Sequence, residues 1–246
     1  MTVTLRIDIW SDIVCPWCYI GKRRFERALH AFEHRENMDI VHRSFQLNPA
    51  MAKGSVRNHR DHLMSKYGLS ESQAGAAQAR MERTAAVEGL EFHLVGGVTG
   101  NTFDAHRLLH LARYRGIQDA VIERFYRAHF TEQRSIFDEE PLVALAAEAG
   151  LDADEARDVL RGDAYADGVA ADLRDARGHG VTGVPYFLFD HRYAVSGAQP
   201  PELFTEALTQ AWTNLISGGR RSPCSGSSSR RTAAIPSARR LARSAA

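Results

Sequence analysis

Near the start of the chain, apolar and polar residues alternate and predict a β-strand. The run Leu5-Arg-Ile-Asp-Ile9 has the two-residue period of a half-buried strand. From Phe25 onward the apolar positions change to helical spacing, with arginine and glutamate between them. Pro16 stands where a proline in the first turn of a helix is tolerated. The segment therefore predicts a strand, a short loop and a helix that has Cys15 at its amino terminus.

The rest of the pattern predicts two sheet-forming ends separated by helices. A second strand is predicted at about residues 39–45, and Asn48-Pro49 ends it. Helical spacing then dominates from about residue 51 to residue 176. Two short apolar runs at 184–189 and 193–196, joined by Asp190-His191, predict a hairpin, and Pro201 begins a last helix. This order predicts one α/β domain that is interrupted by a helical insertion.

Composition and charge divide the chain into a body and a tail. The 246 residues are 44% hydrophobic and 25% charged, as in an ordinary globular protein, and the formal net charge is +1. Residues 218–246 contain seven arginines and no acid, so the body keeps 24 basic against 30 acidic residues, a net of −6. An acidic body argues against nucleic acid as its main partner. The tail has too few apolar residues to offset ordering entropy, and we expect it to be disordered.

Targeting signals are not apparent in the sequence. The first residues lack a basic start, an apolar run and a small-residue cleavage site, and no run approaches the roughly 18 apolar residues that span a bilayer. We therefore expect a cytoplasmic protein with no membrane partner. A close pair of cysteines in that compartment indicates catalysis or metal binding more than a static disulfide. The oligomeric state is left open, and a homodimer is one option.

The pair Cys15 and Cys18 carries the strongest chemical signal. Unpaired N–H groups and the macrodipole at a helix amino terminus favour a thiolate, which is the reactive form of cysteine. The two-residue gap lets Cys18 reach the sulfur that a substrate would attack, as thiol–disulfide exchange requires. A zinc half-site is an alternative, but it needs two further ligands, and only Cys224 remains among the cysteines. An inert buried pair is another alternative.

A second segment, Gly180-Val-Thr-Gly-Val-Pro185, precedes the predicted hairpin. A proline cannot donate to a ladder, so Pro185 belongs at the start or edge of a strand. Cis peptide bonds are essentially confined to prolines. If the Val184–Pro185 bond is cis, the backbone of Val184 is left free to bind an extended substrate.

Together these segments resemble a known family. The run from Trp10 to Lys22 resembles the active-site segment of the DsbA-like thioredoxin superfamily, and more narrowly its FrnE-like branch. Similar segments follow in order at 45–49, 101–107, 180–187 and 194–199. The resemblance implies a thioredoxin fold with an inserted all-helical domain. It divides the chain into 1–49 with 166–217 as the thioredoxin-like domain, 50–165 as the insertion and 218–246 as the tail.

The same resemblance implies roles for individual residues. Cys15 is the nucleophile, Cys18 is the resolving thiol and Pro185 is the cis-proline. Trp17, between the cysteines, either offers an apolar surface to substrates or simply packs. We expect substrate contacts from the residues listed next, although the last three could instead cap and pack a helix: Trp17, Val184, Pro185, Asn101, Thr102 and His106. His59 and His62 lie in a polar helix and are expected to be solvated.

The expected function is thiol–disulfide exchange with substrate proteins or small thiols through the Cys-Pro-Trp-Cys dithiol, in a direction that the sequence leaves open. No bound cofactor and no metal are expected. The redox-active group is the Cys15–Cys18 disulfide, with glutathione as a candidate co-substrate. Related 2-hydroxychromene-2-carboxylate isomerases and kappa-class glutathione transferases typically carry serine at the position of Cys15. The alternatives are therefore a glutathione-dependent isomerase or transferase acting on a small aromatic or polyketide-like substrate, and a non-enzymatic peptide-binding or holdase module.

Overall fold

The computed structural model describes residues 3–218 and the backbone of residues 233–234. Its first part contains β1 (Leu5–Ser11), α1 (Pro16–His30), β2 (Met38–Ser44), β3 (Val56–Asn58), α2 (His59–Tyr67), α3 (Glu71–Val87) and β4 (Val98–Gly100). Its second part contains α4 (Phe103–Tyr114), α5 (Gln118–Phe130), α6 (Glu139–Glu148), α7 (Ala153–Arg161), α8 (Ala166–Gly178), β5 (Tyr186–Phe189), β6 (Tyr193–Ser196), α9 (Pro201–Gly218) and β7 (Ala233–Ala234). The order confirms the predicted α/β class.

A mixed sheet with the order β2-β1-β5-β6-β7 forms the centre of the fold. Strand β1 runs parallel to β2 and antiparallel to β5, and β5 and β6 form the predicted hairpin. Three residues, 190–192, separate the paired Phe189 and Tyr193. Asp190 and His191 have positive φ angles of 48° and 52°, as the two central residues of a tight hairpin turn often do. Apart from Gly218 in α9 and the short strand β7, the tail predicted to be disordered lies outside the described residues.

Helices cover both faces of this sheet. Helices α1 and α9 pack on one face, where the Phe187 and Phe204 rings are 4.6 Å apart and Phe25 contacts both. On the other face Trp10 lies in a small apolar cluster, and its indole nitrogen donates a 3.0 Å hydrogen bond to the Asp172 carbonyl of α8. Burial of β1 from both sides explains why its apolar residues and even Asp8 are inaccessible to solvent.

The block between β2 and α8 consists of helices and their connections, with strands at one place. Strands β3 and β4 form a three-residue antiparallel pair, which the expectation of continuous helices did not include. Three residues are too few to show a two-residue period, and the side chains of β3 are exposed. The capping box of Ser70 and Gln73 is present at the start of α3, and the Asp152 side chain caps α7.

The core of the helical block also contains the active-site turn. Cys15, Cys18 and Tyr19 lie in the same buried cluster as Phe125 and Phe130 of α5. The segment between β1 and α1 is thus held by the sheet below it and by the helical block beside it. Among the described residues, no helix is long and apolar enough to cross a membrane.

Candidate active site

The two cysteines stand at the beginning of α1, immediately after the central strand. Cys15 occupies the N-cap position and Pro16 the first helical position. The Cys15 amide donates to the Asp12 carbonyl at 3.1 Å, and the Cys18 amide donates to the Cys15 carbonyl at 3.0 Å. The first turn of α1 contains no acidic residue. The partial positive charge of the helix amino terminus therefore acts on the Cys15 sulfur without a carboxylate in that turn to oppose it.

The two thiols have different surroundings. Both cysteines are free and buried, and Cys18 is 2% exposed. Burial raises the pKa of the Cys18 thiol well above its usual value, and the neighbouring Cys15 sulfur and Asp12 carboxylate add to the rise. Cys18 is therefore a protonated thiol at neutral pH. This arrangement suits a pair in which one sulfur attacks and the other acts only after a disulfide has formed on its neighbour.

The loop before β5 comes within reach of the nucleophile. The Val184–Pro185 peptide bond is cis, as the family resemblance implies. The Val184 carbonyl oxygen is 3.6 Å from the Cys15 sulfur, so the thiol donates to it. The structure thereby brings four of the predicted site residues together: Cys15, Cys18, Val184 and Pro185.

A cleft of about 540 Å³ opens in front of Cys15. Trp17, whose side chain is 44% exposed, and Val184 lie in its wall, as does Cys15 itself. Pro185 and Cys18 are not among the residues that form this wall. The remaining wall comes mostly from α2, α3 and β4 of the insertion, with residues such as Leu63, Met81 and Thr99. A space of this size accepts a small molecule or one extended side chain with its backbone.

Helix α2 supplies a basic face to the cleft. His59, His62, Leu63 and Lys66 all line it, and their spacing of three, one and three residues places them on one side of a helix. Burial, with a smaller contribution from His62, lowers the pKa of His59 to about 4. Both histidines were expected to be solvated, and the structure differs because α2 lies over the cleft. The helical spacing was the signal that could have found this face.

Helix α2 is held less firmly than the helices of the core. None of its side chains is buried, whereas α4 and α5 each bury seven residues. Its N-cap is Asn58, whose side chain accepts from Arg60 N, and Gly68 ends it in the left-handed conformation. Its position therefore depends on capping and on packing against α3 more than on burial in the core.

The structure places Asn101, Thr102 and His106 outside the wall of this cleft. The Asn101 side chain accepts from Phe103 N at 2.8 Å and donates to the Met51 carbonyl, and Thr102 is buried at the start of α4. His106 is 1% exposed, and its Nε2 is 3.3 Å from Asp12 Oδ1. These residues support the loop beneath the cysteines, and their contact with substrate stays a prediction.

A buried ammonium group lies on the same face of α1 as Cys18. Lys22 is 6% exposed, and its Nζ contacts Glu26, Asp119 at 3.0 Å and Glu123 at 3.2 Å. Burial works against the charged form, but the three carboxylates raise the pKa of Lys22 above its usual value. The ammonium group is therefore a fixed positive charge one turn after Cys18. Within residues 3–218 and 233–234, no group of three metal-ligating side chains comes together.

The fold and the dithiol define a protein of the thioredoxin class with a helical insertion. The family model for the DSBA-like thioredoxin domain matches residues 6–209, and the chain belongs to that family. A probable DsbA oxidoreductase from Streptomyces coelicolor has a similar structure, with a TM-score of 0.82 and 51% identity over 92% of this chain and 94% of that one. The resemblance to the DsbA-like superfamily is thereby confirmed.

Two further solved structures share the fold at lower identity. The cytosolic disulfide reductase DsbM from Pseudomonas aeruginosa has a TM-score of 0.59 and 19% identity, with 85% of this chain and 98% of that chain covered. A structure of DsbM with GSH has the same TM-score. A 2-hydroxychromene-2-carboxylate isomerase has a TM-score of 0.61 and 18% identity, with 88% and 100% covered. At these identities the similarity concerns the fold alone.

Proposed function

We propose that this protein is a thiol–disulfide oxidoreductase that exchanges disulfides with protein or small-thiol substrates through Cys15 and Cys18. The observation that carries the proposal is the pair itself. Cys15 lies at a helix amino terminus in the wall of a cleft, and Cys18 is a buried, protonated thiol behind it. Membership of the DSBA-like thioredoxin family supports the same chemistry.

In the reducing direction, the Cys15 thiolate attacks one sulfur of a substrate disulfide. The substrate S–S bond breaks, and its other sulfur leaves as a thiolate that takes up a proton. Cys18 then loses its proton and attacks the Cys15 sulfur, which releases the second substrate sulfur and leaves the Cys15–Cys18 disulfide. The reverse sequence passes the disulfide to a substrate dithiol. The Val184 carbonyl and the Trp17 ring are the protein groups proposed to hold the substrate beside Cys15.

The test is exchange by single-cysteine variants. Cys15→Ser is expected to abolish insulin reduction and RNase refolding, whereas Cys18→Ser should accumulate mixed disulfides that are visible by mass spectrometry. Cys224→Ser changes the third cysteine of the sequence and should leave both activities unchanged. Full exchange activity in Cys15→Ser would refute the proposal. The ratio of reduced to oxidised Cys15–Cys18 pair in glutathione buffers then gives the reduction potential of the pair. Comparison with the potential of the cytoplasm, the compartment proposed for this protein, indicates the direction of exchange.

A second candidate function is that of a glutathione-dependent isomerase or transferase, and the charge of the cleft wall supports it. Among the described residues of the wall, Lys66 is a cation, and no carboxylate is present. Burial lowers the pKa of both His59 and His62, so these rings offer hydrogen bonds and no positive charge at pH 7. Such a wall is suited to a small anionic thiol, and DsbM, which shares the fold, has a structure with GSH. Glutathione is on this basis proposed as a co-substrate rather than a resident cofactor.

Two variants separate the candidates. Cys18→Ala should stop dithiol exchange, but it should leave turnover intact if a bound thiol and not the protein pair performs the reaction. Lys66→Ala should raise the KM for oxidised glutathione at least about threefold, while the KM for an uncharged disulfide such as oxidised dithiothreitol stays constant. Equal KM changes for the two probes would show that the basic face does not select anionic thiols.

A further inference from the structure

The two cysteines line different spaces. Cys15 lies in the wall of the front cleft, whereas Cys18 lines a second, much smaller cavity of about 10 Å³ on the sheet side of α1. The other residues of this rear cavity are Ile9, Ser11, Lys22, His42, Tyr126 and Phe187. Four of them carry polar groups, although the surrounding cluster is apolar. Its volume is about that needed by one water molecule.

Polar atoms without partners mark the rear cavity as a binding site for water. The Tyr126 hydroxyl and the His42 Nδ1 are buried and make no hydrogen bond of normal geometry among the described residues. Burial and the nearby Cys18 raise the pKa of Tyr126 well above its usual value, so its hydroxyl keeps its proton. A buried water normally satisfies two to four such groups, and two orphaned groups together with Ser11 meet that requirement.

The hydrogen bond of His42 on its other side leaves Nδ1 as a proton acceptor. Its Nε2 is 3.4 Å from Asp119 Oδ1, and the same carboxylate is 3.0 Å from the Lys22 ammonium, which keeps it charged. Since a carboxylate only accepts, Nε2 is the donor in this pair, which assigns the tautomer in which Nδ1 presents a lone pair. A buried ring nitrogen with a free lone pair is what a general base requires.

We propose that Cys18 loses its proton into the rear cavity, through a water molecule held there by Tyr126 and Ser11, to Nδ1 of His42. The proposal rests on the dithiol function proposed above and concerns its second step. As the Cys18 sulfur bonds to the Cys15 sulfur, the bond from Cys15 to the substrate sulfur breaks, and the electron pair leaves with the substrate thiolate. The proton passes to His42 and then to solvent beside the exposed Asp119. The dithiol is oxidised and the substrate disulfide is reduced.

The rear cavity gives the proton of Cys18 a route to solvent while substrate occupies the front cleft. When a mixed disulfide occupies Cys15, the substrate fills the cleft and shields the turn from water. Cys18 faces titratable and charged groups on several elements: Cys15 and Lys22 on α1, Asp12 on the preceding turn, Tyr126 on α5 and His42 on β2. Asp12 is the rival acceptor, and its carboxylate already accepts from Leu47 N at 2.7 Å and contacts His106.

A chromogenic aromatic disulfide, 5,5′-dithiobis(2-nitrobenzoate), measures both steps in one experiment. The parent protein is the full-length chain with Cys224→Ser, because Cys224 would itself release aromatic thiolate. Mixed with this protein in its reduced form, the reagent releases one aromatic thiolate when Cys15 attacks and a second when Cys18 resolves the mixed disulfide. His42→Gln should slow the second release at least about tenfold at pH 7 and leave the first within about twofold. The gap should narrow between pH 7 and pH 9, because hydroxide ion becomes more abundant and can take the proton of the Cys18 thiol in place of His42.

Two tyrosine variants distinguish a loss of proton transfer from a general folding defect. Tyr126→Phe removes the hydroxyl at the rear cavity and should slow the second release, whereas Tyr19→Phe, in a ring stacked 4.8 Å away, removes a hydroxyl bonded to Glu123 and should not. An unchanged second release in both His42→Gln and Tyr126→Phe would overturn the proposal, as would a specific loss in Asp12→Asn instead. Absence of the first release in the Cys224→Ser parent protein would refute the dithiol function itself.

Discussion

Gly21 provides a sharp test of how closely α1 is fitted against the active-site loop. A methyl group added at Gly21 would lie 2.8 Å from Pro185 Cγ and 3.4 Å from Ala198 Cβ. The first distance is too short for two carbon atoms, and a proline ring cannot rotate away. Either α1 or the Pro185 loop must therefore move, which would also displace the Val184 carbonyl from the Cys15 sulfur.

The expected magnitude follows from two opposing effects. Alanine is favoured over glycine in a helix by about 1 kcal/mol, whereas overpacking costs about 1–3 kcal/mol. Gly75 in α3 is the matched control, because an added methyl group there meets nothing within 4 Å. Gly75→Ala should raise the free energy of unfolding by about 0.5–1 kcal/mol, and Gly21→Ala should be about 1–3 kcal/mol less stable than this control.

Urea unfolding followed by tryptophan fluorescence gives the two free energies, and release of aromatic thiolate gives the exchange rate. We expect Gly21→Ala to lose both stability and exchange activity, and Gly75→Ala to keep its activity. If the two variants gain the same stability and exchange at the wild-type rate, the close approach of Gly21 to Pro185 is wrong.

Two further predictions concern stability. Arg107→Met should lower the free energy of unfolding by at least about 3 kcal/mol. The reason is that the buried guanidinium donates hydrogen bonds to the carbonyls of Val159, Ala164 and Gly162. An unchanged urea midpoint would contradict this prediction. Burial lowers the pKa of His129 to about 4, so the folded protein resists a proton that the unfolded chain binds below about pH 6.5. The free energy of unfolding should therefore decrease as the pH falls from 6.5 toward 4, and His129→Phe should remove about 2 kcal/mol of this loss at pH 5. Equal changes in the free energy of unfolding between pH 7 and pH 5 in the wild-type and His129→Phe proteins would contradict this.

Local pattern was enough to predict the sheet-forming ends of the chain. The alternation in β1, the change of period at α1 and the turn pair Asp190-His191 are each complete within about ten residues, and the structure has all three. Strands β3 and β4 could not be predicted in this way, because each is three residues long and each is defined by its partner some forty positions away.

The candidate site divides along the same line. Cys15 and Cys18 are separated by only two residues, and this spacing indicates their chemistry. The basic face of α2 and the rear cavity behind Cys18 are formed only when separate elements meet. His42 contributes to that cavity because β2 pairs with β1 in a register that places His42 opposite Ile9. No motif in the sequence predicts this register.

The loose attachment of α2 has a consequence for how such a protein can diversify. The cysteines lie on a turn that is fixed in the core, but α2, the helix that forms one wall of the cleft in front of them, contains no buried side chain. Substitutions on that wall can change the size and charge of accepted substrates while costing little folding free energy. The reactive cysteines lie in a segment that core packing constrains, whereas substrate selection depends on a helix that core packing constrains little. New substrate specificities can therefore arise around an unaltered dithiol.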